Sequence, residues 1–237
     1  DVESLLAAAK SVDGDIAGVI ASAFKHDYGK DQELPTKAFA QAVRKLCDDT
    51  GAALILDDVR AGFRLDLAGS WQTVGVKPDL AAYSKAIANG YTLAAVTGAN
   101  KFRDAASTVF MTGSFWCGAA SMAAALKTLE IFQRDNTIAR IEALGNRLRD
   151  GLNAQAKSHG LVLKQTGPAQ MPTVLFADDA NVEKGRLFTQ EALRGGAWLH
   201  PQHNMFLSSA HTEADIDKAL QATDSAMAIV KKSFGRD

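Results

Sequence analysis

Two apolar runs in the sequence each end on a residue that could do chemistry. The run 54–56 is followed by Asp57, and the run 80–84 is followed by Lys85. A lysine amine in apolar surroundings loses part of its protonation and can then form an imine with an aldehyde. A carboxylate at the end of a buried strand is costly unless a positive group pairs with it. Together, the two could hold opposite sides of a ring that carries an aldehyde and a protonated nitrogen.

Each of these residues, taken alone, has an ordinary explanation. An acid that follows a strand commonly caps a turn or bonds its own loop, and this explanation suits Asp57 and suits Asp58 even better. A lysine after a strand is commonly a solvent-exposed charge, which is the simpler explanation of Lys85. The chemical interpretation therefore depends on the residues around the pair.

The hydrophobic pattern predicts the elements that would position the pair. An amphipathic helix is predicted at 35–49, and Gly51 is a typical glycine at a helix end. Strand, helix and strand in that order, with uniformly apolar strands, favour a parallel sheet covered on both faces. The predicted strands are 15–21, 53–57, 79–84 and 93–98, and further helices are predicted at 2–11, at 119–133 and around 138–152.

The pattern changes from about residue 155. Short strands alternate with helices there, as in a smaller α+β domain. Thr212 and Asp215 have the spacing of a capping box at the start of the last helix. The predicted strands are 161–164, 172–176 and 197–199, with a helix at 182–194.

The composition excludes several classes of protein. Of the 237 residues, 47% are hydrophobic and 22% charged, as in an ordinary soluble globular protein. The net charge of −1 predicts no attraction to nucleic acid or to an anionic membrane, and no apolar run is long enough to span a bilayer. Cys47 and Cys117 lack zinc or redox spacing, and no signal peptide is evident, so we expect reduced thiols in a cytoplasmic protein.

Three histidines in the last third of the chain could suggest a metal. His200, His203 and His211 lie close in sequence, but no nearby acid or cysteine completes a ligand set. We therefore predict no metal site and interpret these histidines as structural or as part of a substrate pocket.

The residues around Asp57 and Lys85 resemble, in order and spacing, the signature of class III pyridoxal phosphate aminotransferases. That family has a strand ending in Asp-Glu-Val, a Gly-Phe-Arg turn, a Val-x-Pro-Asp entry to the next strand, and a lysine followed by a glycine-bearing loop. Residues 113–126 and 196–212 extend the resemblance over nearly the whole chain, the latter towards the glutamate-1-semialdehyde aminomutase branch. The matching stretches around the pair are 54–64, 75–80 and 84–91.

The resemblance implies a fold and a cofactor. It implies the α/β fold-type I of transferases that depend on pyridoxal 5′-phosphate, with a mostly parallel sheet in a large domain. Residues 1–135 would be the C-terminal part of that large domain, which is incomplete here, and 136–237 would be the small C-terminal α+β domain. The family's phosphate-binding loop and stacking aromatic residue precede these stretches and are absent from this sequence. The chain thus resembles the C-terminal part of such an enzyme, and we expect it to bind the cofactor weakly alone.

Individual roles also follow from the resemblance. Asp57 would pair with the pyridine nitrogen and Val59 would pack on one face of the ring. Lys85 would form the Schiff base and move the proton during amino transfer. Ser114 stands where the family has a threonine that binds the cofactor phosphate across a dimer interface. A homodimer with a shared site is therefore implied, acting on a small-molecule amino donor and a keto or aldehyde acceptor.

Several alternatives remain open at the level of sequence. The aminomutase branch would carry a glutamate near Asn204, which is absent here, so transamination is favoured over glutamate-1-semialdehyde mutation. Another aminomutase or an amino-acid racemase would use the same residues, and a non-catalytic fragment would keep the fold without an intact site. Arg60 and Arg64 could bind a substrate carboxylate, or could lie at the surface or a dimer contact.

Overall fold

The computed structural model describes residues 1–12, 15–111, 113–116 and 118–235; Cys117 lies outside them. Residue contacts divide the chain into two compact units, 1–24 with 35–138 and 25–34 with 139–237. The assignment of 1–135 and 136–237 to a large and a small domain stays a prediction. The helices are α1 Val2–Ser11, α2 Lys37–Thr50, α3 Arg103–Thr108, α4 Ala119–Arg134, α5 Thr137–Ser158, α6 Glu183–Arg194 and α7 Glu213–Phe234. The strands are β1 Gly18–Ser22, β2 Ala53–Asp57, β3 Leu80–Tyr83, β4 Ala95–Gly98, β5 Leu163–Thr166 and β6 Thr173–Phe176.

The first unit is built on a four-stranded sheet in the order β1-β2-β3-β4. The first three strands are parallel, and β4 runs antiparallel to β3. The sheet is therefore mixed. Helix α2 precedes β2 in the chain. Thr36 caps the first turn of the helix, and Gly51 ends the helix in the left-handed conformation at φ 74°.

One face of this sheet carries the core of the first unit. Leu54, Leu56 and Ala81 are buried and pack with Val43 and Cys47 of α2. On the other face Ile20 is 69% exposed and Val96 is 72% exposed. The prediction of a sheet covered on both faces is thus wrong for the described residues, which cover one.

The second unit combines helices with the antiparallel pair β5 and β6. Leu152 of α5, Phe188 of α6 and Met227 of α7 are buried in its core. Thr212 and Asp215 form the predicted capping box of α7. Segment 25–34 joins this unit because the Gln32 side chain donates to the Met171 carbonyl at 2.9 Å.

The predicted strand at 197–199 is wrong. Those residues follow α6 without strand pairing, and Gly196 turns the chain with φ 92°. The Ala197 N–H then donates back to the Ala192 carbonyl of α6 at 2.8 Å, and Ala197 is buried. This short apolar run follows a helix end, and only Ala197 and Leu199 pack against the core, whereas Trp198 is 85% exposed.

Candidate active site

Asp57 is the last residue of β2 and emerges on the open face of the sheet. It lies opposite Ser22 of β1 and Ala82 of β3, and its side chain is exposed. Its Oδ1 accepts a hydrogen bond from the Val59 N–H at 3.1 Å, which closes a tight turn. Val59, the predicted ring-packing residue, is half-buried beside it. One oxygen of Asp57 thus acts as a turn acid, and the other has no partner among the described residues.

Lys85 begins a short 3-10 helix, Lys85–Ile87, just beyond β3. Its φ of 49° lies in the left-handed region, which is uncommon for a residue with a side chain and recurs at functional sites. The loop is anchored on both sides, because the Ser84 hydroxyl donates to the Leu93 carbonyl at 2.9 Å and Ile87 is buried. A fixed backbone thus presents the exposed Lys85 side chain.

The parallel register brings Asp57 and Lys85 to the same edge of the sheet. Since Asp57 pairs with Ala82, Lys85 follows three residues later on the neighbouring strand. Neighbouring strands lie about 4.8 Å apart, so both side chains start within one small region. Within the described part of the chain, no carboxylate pairs with Lys85 and no donor contacts Asp57 Oδ2.

The other residues that the sequence suggested for the site are Ser114, Arg60 and Arg64. Ser114 is exposed in a turn at 114–116, and no described contact joins it to Asp57 or Lys85. The Arg64 Nε donates to the Arg60 carbonyl at 3.1 Å, and burial lowers the pKa of Arg64. The structure thus brings together Asp57, Val59 and Lys85, but not Ser114.

Asp58 differs sharply from its neighbour Asp57. It is 0% exposed, and its Oδ2 accepts the Ser70 N–H at 2.8 Å. Burial raises the pKa of the Asp58 carboxyl against the effect of the Ser70 hydrogen bond. The sequence favours an ordinary loop acid at Asp58. The signal for another role is its position next to Asp57 and before a glycine-rich loop.

The three histidines line a cavity of about 610 Å³ in the second unit, together with Trp198 and Phe206. His200 Nδ1 accepts the His203 N–H at 2.9 Å, and His211 Nδ1 accepts the Ser208 N–H at 3.2 Å. Their rings therefore brace the local backbone. Among the residues that the structure describes, no group of three His, Cys, Asp or Glu could hold a metal ion.

Comparison with known families agrees with this arrangement. The family model for aminotransferase class III matches residues 1–227. The chain belongs to the class III aminotransferase family. This membership accounts for the order in which the residues around Asp57 and Lys85 occur.

Two relatives show which branch of the family the chain resembles more. The aminopentol aminotransferase of Sphingopyxis macrogoltabida is 50% identical over 234 residues, covering 99% of this chain. A glutamate-1-semialdehyde 2,1-aminomutase of Chloroherpeton thalassium is 29% identical over 100% of the chain. The aminotransferase is thus the more similar of the two, although the resemblance also reaches the aminomutase branch.

A solved structure shares the fold. The FumI protein of Sphingopyxis sp. MTA144, described as a PLP internal aldimine form, superposes with a TM-score of 0.97 at 50% identity and covers 99% of this chain. That identifies the fold as the one used by PLP-dependent transaminases. The chain spans 56% of the length of both this structure and the aminopentol aminotransferase.

Proposed function

We propose that the protein is a pyridoxal 5′-phosphate-dependent aminotransferase in which Lys85 and Asp57 form one side of the cofactor site. It would move an amino group between an amino acid or amine and a keto or aldehyde acceptor. The observation that carries this proposal is the parallel register of β2 and β3, which sets an exposed acid and an exposed lysine at neighbouring strand ends.

The residues at this edge fit that cofactor. Asp57 keeps one carboxylate oxygen without a described partner, so it can accept a hydrogen bond from a protonated ring nitrogen. Val59 offers a half-buried apolar surface next to that carboxylate. Pyridoxal phosphate, when bound, supplies an electron-withdrawing ring that stabilises negative charge next to the substrate nitrogen.

Lys85 would supply the nucleophile and the proton carrier. Its side chain is exposed at the edge of the sheet, so the amine can reach an aldehyde and can afterwards take and return a proton. The anchored backbone holds the base of its long side chain while the amine moves between these tasks.

The site would be completed by a second copy of the chain. Ser114 lies in an exposed turn next to Phe115, which is 92% exposed. These exposed residues support a homodimer in which the Ser114 hydroxyl reaches the partner's cofactor phosphate. Because a relative of 50% identity is an aminopentol aminotransferase, aminopentol is the first amino donor to test.

The proposal is tested by amino transfer from aminopentol to a keto acid, with the protein supplied with pyridoxal phosphate. Lys85→Ala should lower the rate by about 10²- to 10⁴-fold or more, because both the nucleophile and the proton carrier are lost. Lys77→Ala removes an exposed lysine that precedes β3 at its other end and should leave the rate unchanged. A Lys85→Ala rate within twofold of the unaltered protein would refute the assignment.

A further inference from the structure

The loop that contains Ser70 and Trp71 is bonded to the ends of two strands. The Ser70 N–H donates to Asp58 Oδ2 at 2.8 Å, next to the end of β2. The Trp71 indole N–H donates to the Ala23 carbonyl at 2.9 Å, just beyond β1. Trp71 is 1% exposed, so both bonds are shielded from water. We call residues 69–71 the clasp.

Both anchoring points are bonded directly to the backbone around Asp57. The Ala23 N–H donates to the Asp57 carbonyl at 3.2 Å. The Asp58 N–H donates to the Ala82 carbonyl of β3 at 3.0 Å, three residues before Lys85. A shift of the clasp would therefore be transmitted to both strand ends that carry the proposed cofactor ligands.

The packing around Asp58 leaves little space for adjustment. A Cβ atom at Gly62 would lie 2.7 Å from the Asp58 carbonyl oxygen and 2.7 Å from Tyr83 Cδ1. A Cβ at Gly69 would lie 3.1 Å from the Tyr83 hydroxyl and 3.4 Å from Asp58 Oδ2. Gly69 also has φ 108°, which a side chain rarely allows. Gly69 lets the clasp approach Asp58 and Tyr83 closely, and Gly62 lets the turn after β2 do the same.

Asp58 costs stability rather than supplying it. Its Oδ1 is buried and, among the described residues, has no hydrogen-bonding partner. A buried carboxylate with one satisfied oxygen is unfavourable compared with a neutral side chain of similar shape. Burial also raises the pKa of Tyr83, and the Asp58 charge raises it further. A buried polar group such as the Asp58 carboxyl is expected where it fixes the geometry of the residues around it.

We propose that Asp58 is a positioning residue, which holds Asp57 and Lys85 at the spacing that the cofactor needs by fixing the clasp through the Ser70 amide. This inference rests on the proposed function and assigns a role within the same site. Asp58 does not reach the ring itself, since its side chain is buried on the opposite side of the chain from the exposed Asp57 carboxylate.

The test compares pyridoxal phosphate binding by three variants of the intact protein. Asp58→Ala should weaken binding by about tenfold and change the visible absorbance of the bound cofactor, because the clasp loses its acceptor. Asp58→Asn keeps an acceptor for the Ser70 N–H and should restore both readouts. Asp66→Ala is the matched control and should change neither, since among the described residues Asp66 Oδ1 accepts a hydrogen bond from a nearby loop amide, that of Ala68 at 2.7 Å.

A purely structural role would lower the melting temperature of Asp58→Ala without changing the dissociation constant or the absorbance, and that result would overturn the proposal. If Asp58→Ala does not fold, Ser70→Pro removes the same N–H with Asp58 in place, and unchanged cofactor binding by that variant would also overturn it. If the unaltered protein does not bind pyridoxal phosphate even weakly, the proposed function itself is refuted, and this result is seen before any variant is compared.

Discussion

Asp57 and Asp58 show how two identical neighbours acquire different roles. Successive residues at a strand end point to opposite sides of the sheet. Asp57 therefore reaches the open face and stays exposed, whereas Asp58 points into the core of the first unit. The clasp, which returns from twelve residues away, then bonds the buried Asp58 carboxylate.

A second buried acid, Asp79, is expected to stabilise the fold, in contrast to Asp58. Asp79 precedes β3, at the other end of the sheet from Lys85. It accepts hydrogen bonds from the Leu54 N–H at 2.8 Å and from Arg44 at 2.9 Å, and Lys101 pairs with it at 2.7 Å. Burial alone would raise the pKa of Asp79, but the bonds from Lys101, Leu54 and Arg44 outweigh it and hold that pKa below its usual range. Asp79 should therefore stabilise the fold.

We predict that Asp79→Asn lowers the free energy of unfolding at neutral pH by about 2–3 kcal/mol, since Arg44 and Lys101 lose their shared carboxylate. Because the folded-state pKa is depressed, the contribution is complete above the unfolded pKa of about 4 and disappears as the pH falls through the folded value. Urea unfolding from neutral pH down to about pH 3 should show the difference between the two proteins shrinking.

Asp48 provides the control for Asp79, because it also pairs with Arg44, at 2.7 Å, but from an exposed position on α2. Asp48→Asn should change stability by less than about 1 kcal/mol. Equal losses for the two variants, or a difference that grows on acidification, would contradict the role given to Asp79.

At the scale of elements, strong local patterns predicted the structure well. The apolar run 53–57 is strand β2, and the capped amphipathic segment predicted at 35–49 is helix α2, Lys37–Thr50. The placement of Asp57 and Lys85 at the ends of neighbouring strands could be predicted, because both follow apolar runs, whereas their roles in a cofactor site stay a proposal. The clasp and the depth of Asp58 could not be predicted, since they depend on contacts between Ser70, Trp71 and strand ends far away in the sequence. The prediction of a strand at 197–199 failed for the same reason, because the burial of Ala197 and Leu199 against the helices gives an apolar pattern that resembles a strand.

The two faces of the sheet should respond differently to substitution. Leu56→Ala removes a fully buried side chain and should cost about 2–5 kcal/mol of unfolding free energy. Ile20→Ala acts on a side chain that is 69% exposed and should cost less than about 1 kcal/mol. Chemical unfolding of both variants measures this, and a loss at Ile20 as large as that at Leu56 would mean that the open face is covered in solution.

At the scale of the whole molecule, the chain belongs to the class III aminotransferase family, and we propose that it contains one side of the cofactor site. It spans 56% of its 50%-identical relative, and the sheet face that carries Asp57 is open in the described residues. No described helix is long and apolar enough to cross a membrane. The family and its fold are shown for the chain itself, whereas the substrates, the dimer and the activity of the whole protein are proposals.

The central claim is that Lys85 is the residue that bonds the cofactor, and one measurement tests it directly. The protein is incubated with pyridoxal phosphate, reduced with borohydride, digested and mapped by mass spectrometry. We predict a pyridoxyl group on the peptide that contains Lys85, and its loss in Lys85→Ala. A pyridoxyl group on another lysine, or the same labelling in Lys85→Ala, would contradict the account.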